Sequence, residues 1–78
     1  MDGQLTSLGS LGAGEEGRIV SLKLQDHPEL HKLLALGVLP GATVRVNQTF
    51  PVYVLQVGET QLALEERVAE NIFVNKIL

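Results

Sequence analysis

The stretch LALGVLPGATVRV, Leu34–Val46, decides the fold. Its first half continues a helical pattern of leucines, and its last five residues alternate as a strand does. Between them stand Gly37, which supplies the left-handed residue that ends helices, and Pro40-Gly41, which suits a type II turn with proline second and glycine third. The stretch therefore reads as helix, stop, turn and strand. It also carries more aliphatic side chains than one turn needs, so either all of them are core or some are offered to a partner.

The 78 residues allow one domain. A domain of this size buries only about 60% of the surface its unfolded chain exposes. No cysteine is present, so neither a disulfide nor a thiolate metal site reinforces it. Phe50, Tyr53 and Phe73 are the only aromatics, and the core must be built of Leu, Val and Ile. A net charge of −3, with six scattered Lys and Arg, disfavours a nucleic-acid binder, which shows a basic stripe or patch. No apolar run approaches the roughly 18 residues of a membrane span, and MDGQLTSLGS lacks the basic and apolar regions of a signal peptide. These features point to a soluble cytosolic protein without direct membrane insertion.

Working outward, residues 1–10 read as a flexible, glycine- and serine-rich segment and residues 11–78 as the domain. RIVSLKL, Arg18–Leu24, reads as a half-buried strand with Val20, Leu22 and Leu24 on one face. QDHPELHKLLALG reads as a helix of about two and a half turns. Asp26 or His27 caps its start, Pro28 and Glu29 suit its first turn, and Leu30, Leu33 and Leu34 form its apolar stripe. Thr43–Gln48 alternates with Val44 and Val46 inward. Val52–Val57 is apolar on both faces, as a strand covered on both sides would be. Gln61–Leu64 and Ile72–Val74 complete about five short strands, with a helical turn at EERVAEN between the last two. Five short strands at this length suggest a small, strongly bent barrel, which removes free edges by closing.

Catalytic chemistry finds no foothold. There is no G-x-x-x-x-G-K-[ST] phosphate loop, and the two carboxylates of GAGEEG would repel phosphate, leaving a plain turn. Ser21, His27 and Asp26 could be assembled into a triad only on paper, since no nucleophile elbow is present. DHPELH puts His27 and His31 four apart, the spacing at which two imidazoles on a helix can share a metal. If His27 is the cap or a first-turn residue, however, its ring does not stack over His31, and only carboxylates lie near as third ligands. The sequence thus predicts no enzyme, no cofactor and no metal centre, with His27 and His31 as weak metal candidates. Three dispersed aromatics also lack the platform on which SH3 domains dock proline-rich ligands.

With these motifs in order, the chain resembles the FeoA-type family, the small ferrous-iron transport protein A family. The resemblance rests on Leu33, Leu36, Gly37, Val38, Pro40, Gly41, Val44 and Val46. Upstream it includes Leu11, Gly14, Gly17, Ile19 and Val20, and downstream Leu62, Ala63, Leu64, Ala69, Ile72 and Val74. It runs from about Leu8 to Val74. One departure is Phe50, which stands where the family often has a glycine close before the proline that opens the central strand, so the Phe50–Pro51 turn either differs in shape or presents an aromatic where the family has none. The resemblance implies an SH3-like β-barrel with one inserted helix and a short helical turn. It also implies a cytoplasmic accessory role in bacterial ferrous-iron uptake, by protein–protein contact with a large GTP-binding membrane transporter of the FeoB type. The alternative it carries is a metal-responsive SH3-like module of the kind found in diphtheria-toxin-repressor-type regulators.

The aliphatic surplus then becomes specific. Leu30, Leu33 and Leu34 can face the barrel together, but Leu36, Val38 and Leu39 cannot all follow on one narrow stripe. Either the turn folds back and buries them, or they form an exposed patch for a partner or for a second copy of the chain, and on that second reading Leu36, Val38 and Leu39 are the candidate partner-binding residues.

Overall fold

Six strands, not five, pair in the computed structural model, which describes residues 5–77. They are β1 (Leu5–Ser7), β2 (Glu16–Leu22), β3 (Thr43–Gln48), β4 (Tyr53–Val57), β5 (Thr60–Leu64) and β6 (Ile72–Ile77). The helix α1 (Leu30–Ala35) lies between β2 and β3, and α2 (Glu66–Glu70) between β5 and β6. Every pairing is antiparallel, in the order β1-β6-β2-β3-β4-β5.

The additional strand lies in the segment expected to be loop. Leu5, Thr6 and Ser7 pair with Asn75, Val74 and Phe73, and a 3-10 turn at Leu8–Ser10 follows with Leu8 fully buried. Three residues are too few to show a periodicity, and their pairing is made by the far end of the chain. The expected fraying of the first few residues falls on positions 1–4, outside the described residues.

Closure into a barrel is not what the ladder shows: among the described residues no pairing joins β1 to β5. The space between them is spanned by the 3-10 turn and α2. Tyr53 at the start of β4 donates its hydroxyl to the Gly9 carbonyl at 2.8 Å, with the Leu11 carbonyl at 3.2 Å. Ser7 Oγ donates to the Glu70 carbonyl at 2.9 Å. These bonds seat the turn on both α2 and β4. Burial raises the Tyr53 pKa, with Glu66 and Glu70 adding to the effect, so the hydroxyl keeps its proton and remains a donor.

Two bulges decide which side chains face inward. In β2 the pairing with β6 slips between Ile19 and Ser21, so Val20 is the extra residue and turns outward. The inward set is Gly17, Ile19, Leu22 and Leu24 rather than Val20, Leu22 and Leu24. Strict alternation cannot detect this, because the slip is fixed by the partner strand. In β3 the bulge falls at Asn47, beyond Val44 and Val46, and both valines are buried as their alternation predicts. β4 was expected to be covered on both sides. It instead buries Tyr53 and Leu55 and leaves Val54 and Val57 only half-buried, so one face carries the core.

The core is aliphatic apart from Tyr53, and Leu8, Leu33, Val38, Val46, Leu55, Ile72 and Val74 are fully enclosed. At one point it is closed by the absence of a side chain. A Cβ on Gly17 would lie 2.8 Å from Val74 Cγ2 and 2.9 Å from Val74 Cβ, closer than carbon atoms can pack. At the rim, Glu15 joins the two strands from outside, with its carboxylate 2.8 Å from Lys76 Nζ and accepting the Gly12 amide at 2.7 Å. The Lys76 ammonium, then the Gly12 amide, hold that carboxyl below the usual carboxylate range.

Candidate partner-binding surface

The candidate surface lies where α1 turns into β3, and its backbone explains which side chains it shows. The helix is six residues long, beginning after Glu29, so it makes under two turns instead of two and a half. Of the expected stripe, Leu33 is buried, Leu30 packs partly against the core, and Leu34 is exposed. A helix this short offers one inward row, and Leu34 sits a step round from Leu33.

Gly37 ends the helix at φ +96°, as its position predicts. Two backbone bonds accompany it: Val38 N donates to the Leu33 carbonyl at 2.9 Å and Gly37 N to the Leu34 carbonyl at 3.1 Å. This is a Schellman motif, which places the residue after the glycine against the residue three from the helix end. Those two residues are Val38 and Leu33, and both are fully buried. The expectation that Val38 belongs to an exposed patch is therefore corrected: the same geometry that stops the helix drives Val38 into the core.

The next turn follows the predicted form. Ala42 N donates to the Leu39 carbonyl at 3.0 Å across Pro40-Gly41, with Gly41 at φ +96°. Gly41 N reaches the Ile19 carbonyl and Ile19 N reaches the Ala42 carbonyl, both at 2.8 Å. With its backbone pinned to β2, the turn holds Leu39 outward at 42% exposure, while Leu36 is half-buried. Of the three expected partner-binding residues, Leu39 is displayed, Leu36 is partly accessible and Val38 is enclosed. Leu34 joins the displayed side.

The histidines enter the structure differently from one another. His27 precedes α1, and its Nδ1 accepts the Glu29 amide at 3.0 Å, satisfying one of the free N–H groups at the helix start. His31 lies within the helix and is exposed. Since His27 is outside the helix, the pair does not have the stacked i, i+4 geometry, and no group of three or more metal-ligating side chains forms among the described residues. Asp26 takes φ +63° and leaves the capping to His27. No side-chain bond among the described residues links Ser21, Asp26 and His27. GAGEEG forms a turn whose Glu15 is engaged by Gly12 and Lys76.

Two displays lie away from the α1–β3 turn, and sequence reasoning missed one of them. Phe50, in the loop after β3, is 84% exposed with Val52 beside it, and the Phe50–Pro51 peptide is cis. The departure at Phe50 allows for an aromatic presented at this turn, and the structure presents one. β5 forms one edge of the sheet, a consequence of strand order that local pattern does not carry.

The FeoA domain model matches residues 6–76. The chain belongs to the FeoA family. It is 28% identical to an iron uptake regulatory protein (FeoA) of known crystal structure, over 95% of this chain and 99% of that one, with a TM-score of 0.81. It is 25% identical to FeoA of Stenotrophomonas maltophilia, a prokaryotic SH3 domain protein solved with zinc, over 90% of this chain and 89% of that one, at a TM-score of 0.77. The FeoA fold recurs at a TM-score of 0.86 in IdeR of T. acidophilum, where 99% of this chain aligns with 36% of that one at 18% identity, a likeness of fold alone. No curated protein matches the chain.

Proposed function

We propose that this FeoA-family chain is a cytosolic accessory protein of a ferrous-iron transport system. It acts by protein–protein contact with the cytosolic GTP-binding part of a large FeoB-type membrane transporter, and performs no chemistry of its own. The family match over nearly the whole chain, residues 6–76, carries this reading. Two features are consistent with it. No helix of the described residues is long and apolar enough to cross a membrane. An exposed, backbone-pinned leucine at Leu39 has the character of an interface anchor.

In this reading Leu39, with Leu34 and the accessible part of Leu36, forms the contact, and Val38 supports it from beneath. Iron itself is not held by His27 and His31. The test is capture of the FeoB-type transporter from detergent-solubilised native membranes by the tagged chain. Leu39→Glu should fold as the wild type and lose most of the captured transporter. Failure of the wild-type chain to retain any GTP-binding membrane transporter sinks the proposal.

A further inference from the structure

The free edge of β5 is built to accept another strand. All five residues, Thr60–Leu64, pair with β4 in unbroken register, whereas β2 and β3 are each interrupted by a bulge. The turn from Val57 to Thr60 has two residues, so Val57 and Thr60 exchange hydrogen bonds and the pairs alternate from there. Thr60, Leu62 and Leu64 direct their backbone toward β4. Gln61 and Ala63 direct their N–H and C=O groups away from the sheet, and no bond among the described residues takes them up. The side chains of Thr60, Gln61 and Ala63 are exposed, uncharged and slender enough to let a backbone approach. Within the strand there is no lysine, proline or bulge, the usual protections of an edge.

Charge says what such a strand would carry. Glu59 stands immediately before β5, Glu65 and Glu66 immediately after it, and no Lys or Arg occurs from Val46 to Glu66. A second copy pairing antiparallel about Leu62 would set Glu59 against Glu65 at both ends, a repulsive arrangement. A strand from another protein with Lys or Arg at both ends would meet those carboxylates across a span of about 20 Å. We propose that β5 is a strand-addition site for an extended, uncharged segment of a partner protein flanked by basic residues. The inference rests on the reading that this chain works by protein contact, and it names residues other than Leu39.

The probe is a capped synthetic peptide, Lys-Thr-Val-Thr-Val-Thr-Lys, titrated into the 15N-labelled protein, with a Glu-flanked version beside it. The expected result is amide shifts centred on Thr60–Leu64 and slowed hydrogen exchange at Gln61 and Ala63. The Glu-flanked peptide should bind about fivefold or more weakly, from the loss of two exposed ion pairs. Ala63→Pro removes an N–H that the β4 ladder does not use, so the fold is kept and peptide binding should fall at least about tenfold. Glu59→Lys with Glu65→Lys should reverse the preference between the two peptides. No β5 shifts, equal binding of both peptides, undiminished binding by a folded Ala63→Pro chain, or concentration-dependent β5 shifts without peptide would each overturn the proposal. If the wild-type chain captures the transporter and Ala63→Pro captures it equally, transporter contact stands and strand addition does not explain it.

Discussion

The connections on either side of β3 are both proline-containing and both aliphatic or aromatic in content, yet they treat those side chains oppositely. Between α1 and β3, Gly37–Ala42 is tied to its own helix and to β2 by backbone bonds, and it buries Val38 completely. Between β3 and β4, the loop around Phe50–Pro51 is spanned by one side-chain bond, Gln48 Nε2 to the Val52 carbonyl at 3.1 Å, and Phe50 stands in solvent. Side-chain hydrophobicity therefore does not decide burial here. Backbone hydrogen bonds aim the chain first, and the side chains go where they are aimed.

The sharpest way to break the contrast is at Val38. Val38→Asp would place a charge in the aliphatic core and should cost more than about 4 kcal/mol, enough to unfold so small a domain in a urea titration. Phe50→Asp, a change of the same kind on the other side of β3, should change the stability by under about 0.5 kcal/mol. Equal effects would remove the contrast. Gly17→Ala, which forces a Cβ against Val74, should cost about 1–3 kcal/mol. Gly37→Ala should cost about 1–2 kcal/mol through the left-handed backbone alone, with Val38 still buried as judged by NMR contacts of its methyl groups. Tyr53→Phe deletes the bond to Gly9 and should cost about 1 kcal/mol.

The smallest effect is electrostatic and lies outside both connections. The Glu15 carboxyl is held below its ordinary value by Lys76 and the Gly12 amide, so the folded state favours the ionised form. Its contribution is present above the ordinary carboxylate pKa, shrinks as the pH falls below it, and is gone below the lowered folded value. Glu15→Gln should lower neutral-pH stability slightly, match the wild type at low pH, and so flatten that part of the acid-side slope, as thermal melts across the acid range would show.

Much of this architecture is legible in the sequence wherever backbone chemistry is local. Gly37, Pro40-Gly41 and the Val44/Val46 alternation announce the helix stop, the turn and the strand, and all three stand where expected. What is not legible depends on distant partners. The three residues of β1 become a strand because β6 is there, Val20 turns outward because the β2–β6 register slips, and among the described residues no pairing joins β1 to β5. At the candidate site, Leu39 could be singled out as surplus, but Val38 was assigned to the same patch. The Schellman contact that separates them was foreshadowed only by the glycine itself. The two histidines were legible as a spacing, and the early start of the helix needed to judge that spacing was not.

The Gly17–Val74 approach has a consequence for how the molecule comes into being. The last strand lies between the first two, so β1 and β2 have no common neighbour until Ile72–Ile77 has been made. The α1–β5 segment can organise locally as it is synthesised, but the sheet cannot be completed on a ribosome that still holds the final strand in its tunnel. Completion of the sheet therefore waits on Ile72–Ile77 finding the groove that Gly17 leaves open beside β2, a pairing between residues far apart in sequence.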